Sequence, residues 1–288
     1  VFYWLTIRPF CRATLRQTET QKNNHQQDII MNDILQVDIQ GHLALVTIDN
    51  PPANTWTRDS LDALAELVDE LNANKEVYSL IITGKGEKFF SAGADLKLFA
   101  EGDKQIAAEM STAFGRAFET LSQFRGLSIA AINGYAMGGG LEVALACDLR
   151  IAEQQAVMAL PEASVGLLPC AGGTQNLAWL VGEGWAKRMI LCGEKVNAEQ
   201  ALQIGLVEAV VEQGQAVEKA IEWAEKAERQ SPTSITACKR LIQTARKEPM
   251  FAGMAYERDA FVRLFDSNDC KEGVQAFLEK RKPNWTNT

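Results

Sequence analysis

Histidine is almost missing from this chain. His25 and His42 are the two among 288 residues. The first lies in a polar N-terminal stretch and the second in an apparent hairpin turn. A Ser-His-Asp or Cys-His arrangement needs an imidazole beside its nucleophile, so the scarcity argues against both. Acid-base work falls instead to carboxylates, lysines or tyrosines. Cysteine pairs are missing too. The six cysteines stand at 11, 147, 170, 192, 238 and 270, none in C-x-x-C spacing, so neither a zinc site nor a thioredoxin-type pair is indicated. They read as buried, reduced, small apolar residues of a reducing compartment. No apolar run approaches the ~18 residues of a membrane span. No basic run or stripe offsets the net charge of -8. That argues against nucleic acid as the main partner, since phosphate binding needs clustered Lys and Arg. It leaves room for one small anionic ligand met by a few local cations.

What remains is an ordinary globular composition, 47% hydrophobic and 23% charged, with apolar mass enough for a core. Residues 1–30 differ from the rest. Arg8, Arg12 and Arg16 are spaced by four with no acid before Glu19, a pattern shared with organelle-import presequences, which would place the protein in the mitochondrial matrix. Pro9 and the bulky start favour the other reading, an upstream extension outside the fold with Met31 as the natural start and a cytoplasmic protein. From Met31 the elements alternate. Two β-rich runs flank Gly41, a hairpin pattern. Leu61, Leu64, Val68 and Leu71 share a helical face behind capping residues Thr57 and Asp59. "YSLIITG" and "GLSIAAINGYA" read as one buried strand each, and "LRIAEQQAVMALPE" as two. Ile106, Met110, Phe114, Phe118 and Leu121 mark a helix over 103–124. Strands alternating with helices predict an α/β core over 31–228. Helical patterns at 197–205, 215–229, 233–247 and 254–265, and a last helix ending near Pro283, predict that 229–288 is a helical C-terminal region.

Two glycine-rich turns carry the chemistry. In "FFSAGADLKLF" a strand ends at Phe90 and Gly93 precedes Asp95. In "YAMGGGLEVALA" Gly138, Gly139 and Gly140 open a helix. Bare backbone admits a ligand close to main-chain N–H groups, and a helix start adds unpaired N–H groups and partial positive charge. Two such turns that meet in space form an oxyanion hole; apart, they are ordinary Gly-rich turns. "GGGLE" lacks the G-K-[ST] of a nucleotide loop. Glu142 follows at the helix start, where it either complements the helix dipole or works chemically. Glu162 stands after a proline among Met158, Ala159, Leu160, Val165 and Leu167, where an unpartnered charge is costly to bury. Two glutamates beside a backbone oxyanion hole make an acid-base set for a carbonyl substrate. Gly172 and Gly173 follow and are placed to shape the same pocket.

Five motifs, in order, resemble the crotonase (enoyl-CoA hydratase/isomerase) superfamily from about Leu35 to Trp285: "SAGADLK", "NGYAMGGGLEVALACDLRIA", "LPEASVGLLPCAGGTQNL", "KVNAEQALQIGLVEAVV" and "AFLEKRKPNW". Within it the chain looks most like the enoyl-CoA hydratases, because both catalytic glutamate positions hold Glu. The resemblance implies a spiral of β-β-α units whose C-terminal helices, 229–288 here, build homotrimers that often pair into hexamers. It implies an acyl-CoA thioester as substrate, coenzyme A entering only as part of it, with no separate cofactor and no metal. By the same resemblance Ala94 and Gly139 supply the oxyanion N–H groups, and Glu142 and Glu162 are the catalytic glutamates. Ala53, Ala92, Asp95, Leu96 and Lys97 belong to the CoA-contacting turns. Lys280 and Lys282, on the last helix, either reach CoA phosphates or form a solvated basic helix end. The chain departs from the family at Cys170, where many hydratases have glycine, at Asn176, where arginine is frequent, and in "PPANTWT", which lacks the usual Leu-Asn. The implied reaction adds water to a 2-trans-enoyl-CoA to give a 3-hydroxyacyl-CoA, in fatty acid or related acyl-CoA breakdown. An isomerase or acyl-CoA hydrolase of the same family, and a non-catalytic CoA-binding protein, are the alternatives.

Overall fold

The computed structural model describes residues 34–288, so both readings of residues 1–30 lie outside the described residues. The alternating apolar residues around Gly41 form the expected hairpin. β1 (Leu35–Gln40) pairs antiparallel with β2 (Leu43–Ile48). α1 (Arg58–Ala73) starts at Thr57, whose hydroxyl accepts from Ser60 N–H while Ser60 Oγ accepts from Thr57 N–H. This reciprocal box satisfies two orphan donors. Asp59 does not cap; it sits in the first turn, where its charge suits the helix start. Leu61, Leu64, Val68 and Leu71 are all buried.

Three β-β-α units follow. The first is β3 (Ser79–Gly84), β4 (Phe89–Ser91) and α2 (Lys104–Ser122). The second is β5 (Leu127–Ile132), β6 (Tyr135–Met137) and α3 (Gly139–Ala146). The third is β7 (Leu149–Glu153), β8 (Val157–Ala159) and α4 (Gly173–Leu191). Then come β9 (Val196–Asn197), α5 (Ala198–Gln203), β10 (Ala209–Val211), α6 (Ala216–Glu228), α7 (Pro232–Thr244), α8 (Met250–Leu264) and α9 (Asn268–Leu278). In each unit the first strand joins one sheet, ordered β1-β2-β3-β5-β7-β10, and the second joins another, ordered β4-β6-β8-β9. Within the units all neighbours run parallel, and β9 closes the small sheet antiparallel. The chain therefore winds between two sheets, the crotonase spiral, although no sequence repeat announces it.

β3 is buried along its whole length. Leu80 and Ile82 join the main core with Leu64, Val68 and Phe118, while Ile81 faces Ile129, Ile151 and the Ala216 and Ala220 face of α6. "GLSIAAINGYA" is two strands rather than one. Asn133 breaks it, accepting from Gly84 N–H and donating to the carbonyls of Gly84 and Gly86. Those bonds end the ladder and send β6 into the second sheet.

The last helix ends at Leu278, not near Pro283. Lys280 adopts φ 56°, its N–H returns to Phe277 O, and Arg281 N–H returns to Ala276 O. This is a Schellman termination, so Lys280 and Lys282 lie beyond the helix rather than on it. α8 begins a turn earlier than its periodicity predicted and buries none of its residues. Met250, Phe251, Phe261, Val262 and Phe265 are each more than half exposed. Among the described residues cysteine burial holds for Cys147 alone, and Cys11 lies outside them. Cys170, Cys192 and Cys238 are exposed, Cys270 is half-buried, and all five are free; Cys192 follows α4 and Cys238 lies on the C-terminal helices, outside the sheets that make the core. Among the described residues no helix is long and apolar enough to cross a membrane.

One buried charge ties the third unit to the chain that follows. The Arg150 guanidinium is 2% exposed and meets Glu208 Oε1 at 2.5 Å, with further donations to Leu206 O and Cys147 O. Glu208→Ala strands that cation and is expected to cost about 3 kcal/mol, read as a lower urea midpoint. The double change Arg150→Met with Glu208→Leu is expected to cost less, since it leaves no charge unpaired. A single change that leaves the midpoint unmoved would show the pair to be idle.

Candidate active site

Each unit turns from its second strand toward its helix at the same end of the small sheet, and the three turns meet there. In the first, Gly93 takes φ 84°, which disfavours any side chain. A Cβ on it would also lie 2.7 Å from Met137 O and 2.9 Å from Gly139 N. Only bare backbone lets the Ala92–Asp95 turn rest on the Met137–Gly140 turn. The loop at 53–56 braces it from outside. Ala92 N–H donates to Ala53 O at 2.9 Å, Trp56 N–H to Gly93 O at 2.8 Å, and Ser91 Oγ to Asn54 O at 2.7 Å. Asp95 caps the short 3-10 turn Leu96–Phe99 by accepting from Lys97 N–H.

The second turn opens α3. Gly138 has no side chain to cap it, and Leu141 and Glu142 N–H both return to Gly138 O. Gly139, the first helical residue, thus belongs to the orphan donors of a helix start, with the dipole behind it. Glu142, in the first turn, is 2% exposed. Its Oε1 accepts from Ala171 N–H at 2.8 Å and Gly173 N–H at 2.9 Å. A Cβ on Gly173 would stand 2.8 Å from that oxygen, so the cradle needs glycine there. Burial raises the Glu142 carboxyl above its ordinary range, and the N–H groups of Gly173, Ala171 and Cys170 oppose the rise.

The third turn carries Glu162 at the head of the 3-10 segment Glu162–Val165. Its carboxylate lies over Gly138, where a Cβ would be 3.2 Å from Oε1. Its Oε2 is buried without a hydrogen-bond partner. Burial pushes its carboxyl up to about 7; its own N–H opposes this, and the charge of Glu142 adds to it. The two carboxylates thus sit in unlike settings, one cradled by two amides of the neighbouring turn and one with an unpartnered oxygen.

Ala92, Ala94, Leu96, Gly139, Glu142 and Glu162 all line one cavity of about 680 Å³. Ala53, Asp95 and Lys97 belong to or brace its first turn and do not line it, and Lys280 and Lys282, in the C-terminal tail, do not line it either. Ala171, whose N–H holds Glu142, had no signal in the sequence beyond the Gly-Gly beside it. Phe114, read as a core residue of the helix, also lines the cavity. Cys170 opens onto it without a left-handed φ. Burial and the two carboxylates push its thiol up to about 11. Asn176, in place of the family's arginine, accepts instead from Arg246 at 3.1 Å. No group of three His, Cys, Asp or Glu among the described residues is placed to hold a metal.

The raised Glu162 carboxyl has a stability signature. Between about pH 4.5 and about pH 7 the folded protein keeps a proton that the unfolded chain has lost. Stability contributed by this group therefore falls as pH rises through that window. Glu162→Gln removes the proton exchange, so its Tm is expected to gain on that of the parent from pH ~5 to pH ~8. A gap that stays constant over that range would show an ordinary carboxyl.

Residues 38–288 match the family model described as enoyl-CoA hydratase/isomerase. A short-chain-enoyl-CoA hydratase of Clostridium acetobutylicum is 38% identical over 253 residues, covering 88% of this chain and 97% of that protein. Among solved structures, DspI of Pseudomonas aeruginosa is 62% identical with a TM-score of 0.87, covering 88% of this chain and 97% of its own. An enoyl-CoA hydratase of Bacillus anthracis is 35% identical with a TM-score of 0.85, covering 89% of this chain and 100% of its own. A spiral of β-β-α units, two facing glutamates and a match over nearly the whole described chain lead to one conclusion: this chain belongs to the enoyl-CoA hydratase/isomerase family of the crotonase superfamily, enzymes that act on acyl-CoA thioesters.

Proposed function

We propose that the protein is an enoyl-CoA hydratase. The observation that carries the reading is the unequal setting of Glu142 and Glu162. A 2-trans-enoyl-CoA lies with its thioester oxygen at the N–H groups of Ala94 and Gly139, and the α3 dipole stabilises the negative charge that grows on it. Glu142, ionised in its amide cradle, takes a proton from water as the water oxygen bonds to C3. Glu162, neutral near pH 7, gives its proton to C2. The C2–C3 double bond is consumed, and the product is a 3-hydroxyacyl-CoA. The proton gained by Glu142 returns to Glu162 through exchange with solvent, and the enzyme is reset. Reversal of the same steps dehydrates a 3-hydroxyacyl-CoA.

Ala53, Ala92, Asp95, Leu96 and Lys97 are assigned to the CoA side, because they form or brace the turn that carries Ala94. Lys280 and Lys282 are assigned to CoA phosphates, reached from a neighbouring subunit. The exposed apolar face of α8 supports a homotrimer or a pair of trimers. Its burial would add favourable free energy at about 25 cal/mol per Å². The five described cysteines are all free thiols, which suits a reducing cytoplasm.

Crotonyl-CoA is expected to lose its conjugated-enoyl absorbance when the protein is added. Glu142→Gln is expected to lower kcat by about 10²–10⁴, with KM little changed, since the base acts in the transition state. Full hydration by that variant would sink the mechanism. Shift of a 3-enoyl-CoA double bond without hydration would instead make the protein an isomerase.

A further inference from the structure

An acyl thioester held at Ala94 and Gly139 has its tail in the remainder of the same cavity. The walls of that remainder are α2, Phe99 and the segment 161–170. Glu142 and Glu162 are the two charged side chains that line it among the described residues. Both hydroxyls on the walls are engaged. Ser111 Oγ donates to Ala108 O at 3.0 Å, and Ser164 Oγ donates to Pro161 O at 2.7 Å. Neither hydroxyl is left free to donate to a polar group at the end of a tail.

The rest of the lining is apolar, and its shape is informative. α2 turns Ala107, Ala108 and Ser111 toward the cavity, one turn of small side chains above Phe114. Across from them stand Val165, Leu167 and Leu168, which are 53%, 43% and 68% exposed. Large apolar side chains left open on a cavity wall lose contact with water when an apolar chain covers them. A carboxylate in the same place loses its hydration and gains no cation.

We propose that the site selects uncharged aliphatic acyl tails longer than that of crotonyl-CoA. The turn Ala107–Ala108–Ser111 provides the room, and the absence of a cation among the described lining residues rejects tails that end in a carboxylate. The inference rests on the proposed hydratase reading for where the thioester sits. Its test uses saturated thioesters, which cannot be hydrated, so that binding is read apart from catalysis.

The full chain is titrated in a calorimeter with butanoyl-CoA, octanoyl-CoA and the octanoyl analogue that ends in a carboxylate. Octanoyl-CoA is expected to bind more tightly than butanoyl-CoA by about fourfold for each methylene buried, on the order of 10² if all four extra methylenes are covered. The carboxylate analogue is expected to lose that gain. Ala108→Phe fills the space and is expected to shrink the octanoyl-to-butanoyl ratio about fivefold or more. Ala108→Arg supplies the missing cation and is expected to raise the carboxylate analogue relative to octanoyl-CoA about tenfold. Equal affinity for butanoyl-CoA and octanoyl-CoA would overturn the proposal, as would a carboxylate analogue that binds the parent as well as octanoyl-CoA. The expected ratios in a protein inert towards crotonyl-CoA would uphold the tail assignment and sink hydration. Failed ratios in a protein that hydrates crotonyl-CoA would sink the tail assignment alone.

Discussion

The site depends on how closely three turns of backbone approach one another. Gly93 rests on the Met137–Gly140 turn at a separation that no Cβ can enter, and Gly173 closes on Glu142 in the same way. Contact at this range aims main-chain N–H groups into one cavity, and main-chain donors are fixed by the fold without side-chain entropy. The spiral makes the approach possible. Strands β4, β6 and β8 are parallel neighbours, so the turns that leave them stand side by side. The loop at 53–56 then locks the outermost turn through Ala53, Asn54 and Trp56. The geometry of the cavity is a property of sheet order before it is a property of any side chain.

The same arrangement sets the electrostatics. Glu142 and Glu162 repel each other, so they share the cavity comfortably only when one is neutral. Which one is neutral follows from what surrounds each. Backbone amides reach Glu142, while Glu162 Oε2 has none. A pair of groups pushed apart in this way can act as base and acid at one pH.

Much of this was legible in the sequence, for identifiable reasons. The hairpin at Gly41, α1 and the buried β3 follow from local periodicity, which needs no knowledge of distant partners. The glutamates and glycines were legible because rare residue types stood in apolar surroundings and in family order. Other features were written in long-range contacts. Asn133 looks like an ordinary strand residue until Gly84 and Gly86 arrive to meet it. Ala171 contributes only its N–H, so its side chain gives no hint. The stop of α9 at Leu278 is made by backbone folding at Lys280, a residue type with no preference for that conformation. The exposed cysteines were misjudged because apolar neighbours in sequence are not neighbours in space.

The asymmetry of the two glutamates can be traced to where the spiral ends. Glu142 belongs to the second unit, and the third unit comes back over it where its loop enters α4, bringing Ala171 and Gly173. Glu162 belongs to the third unit, and no fourth unit follows. β9 enters the small sheet antiparallel, so no further turn arrives at that end to offer amides to Glu162. A carboxyl at the open end of a spiral stays under-solvated by the protein and holds its proton to higher pH. One covered inside the spiral gains donors and ionises more readily. On this view the two carboxyls are distinguished by their position in the winding order of the chain, and exchanging their settings would require the chain after α4 to wind once more.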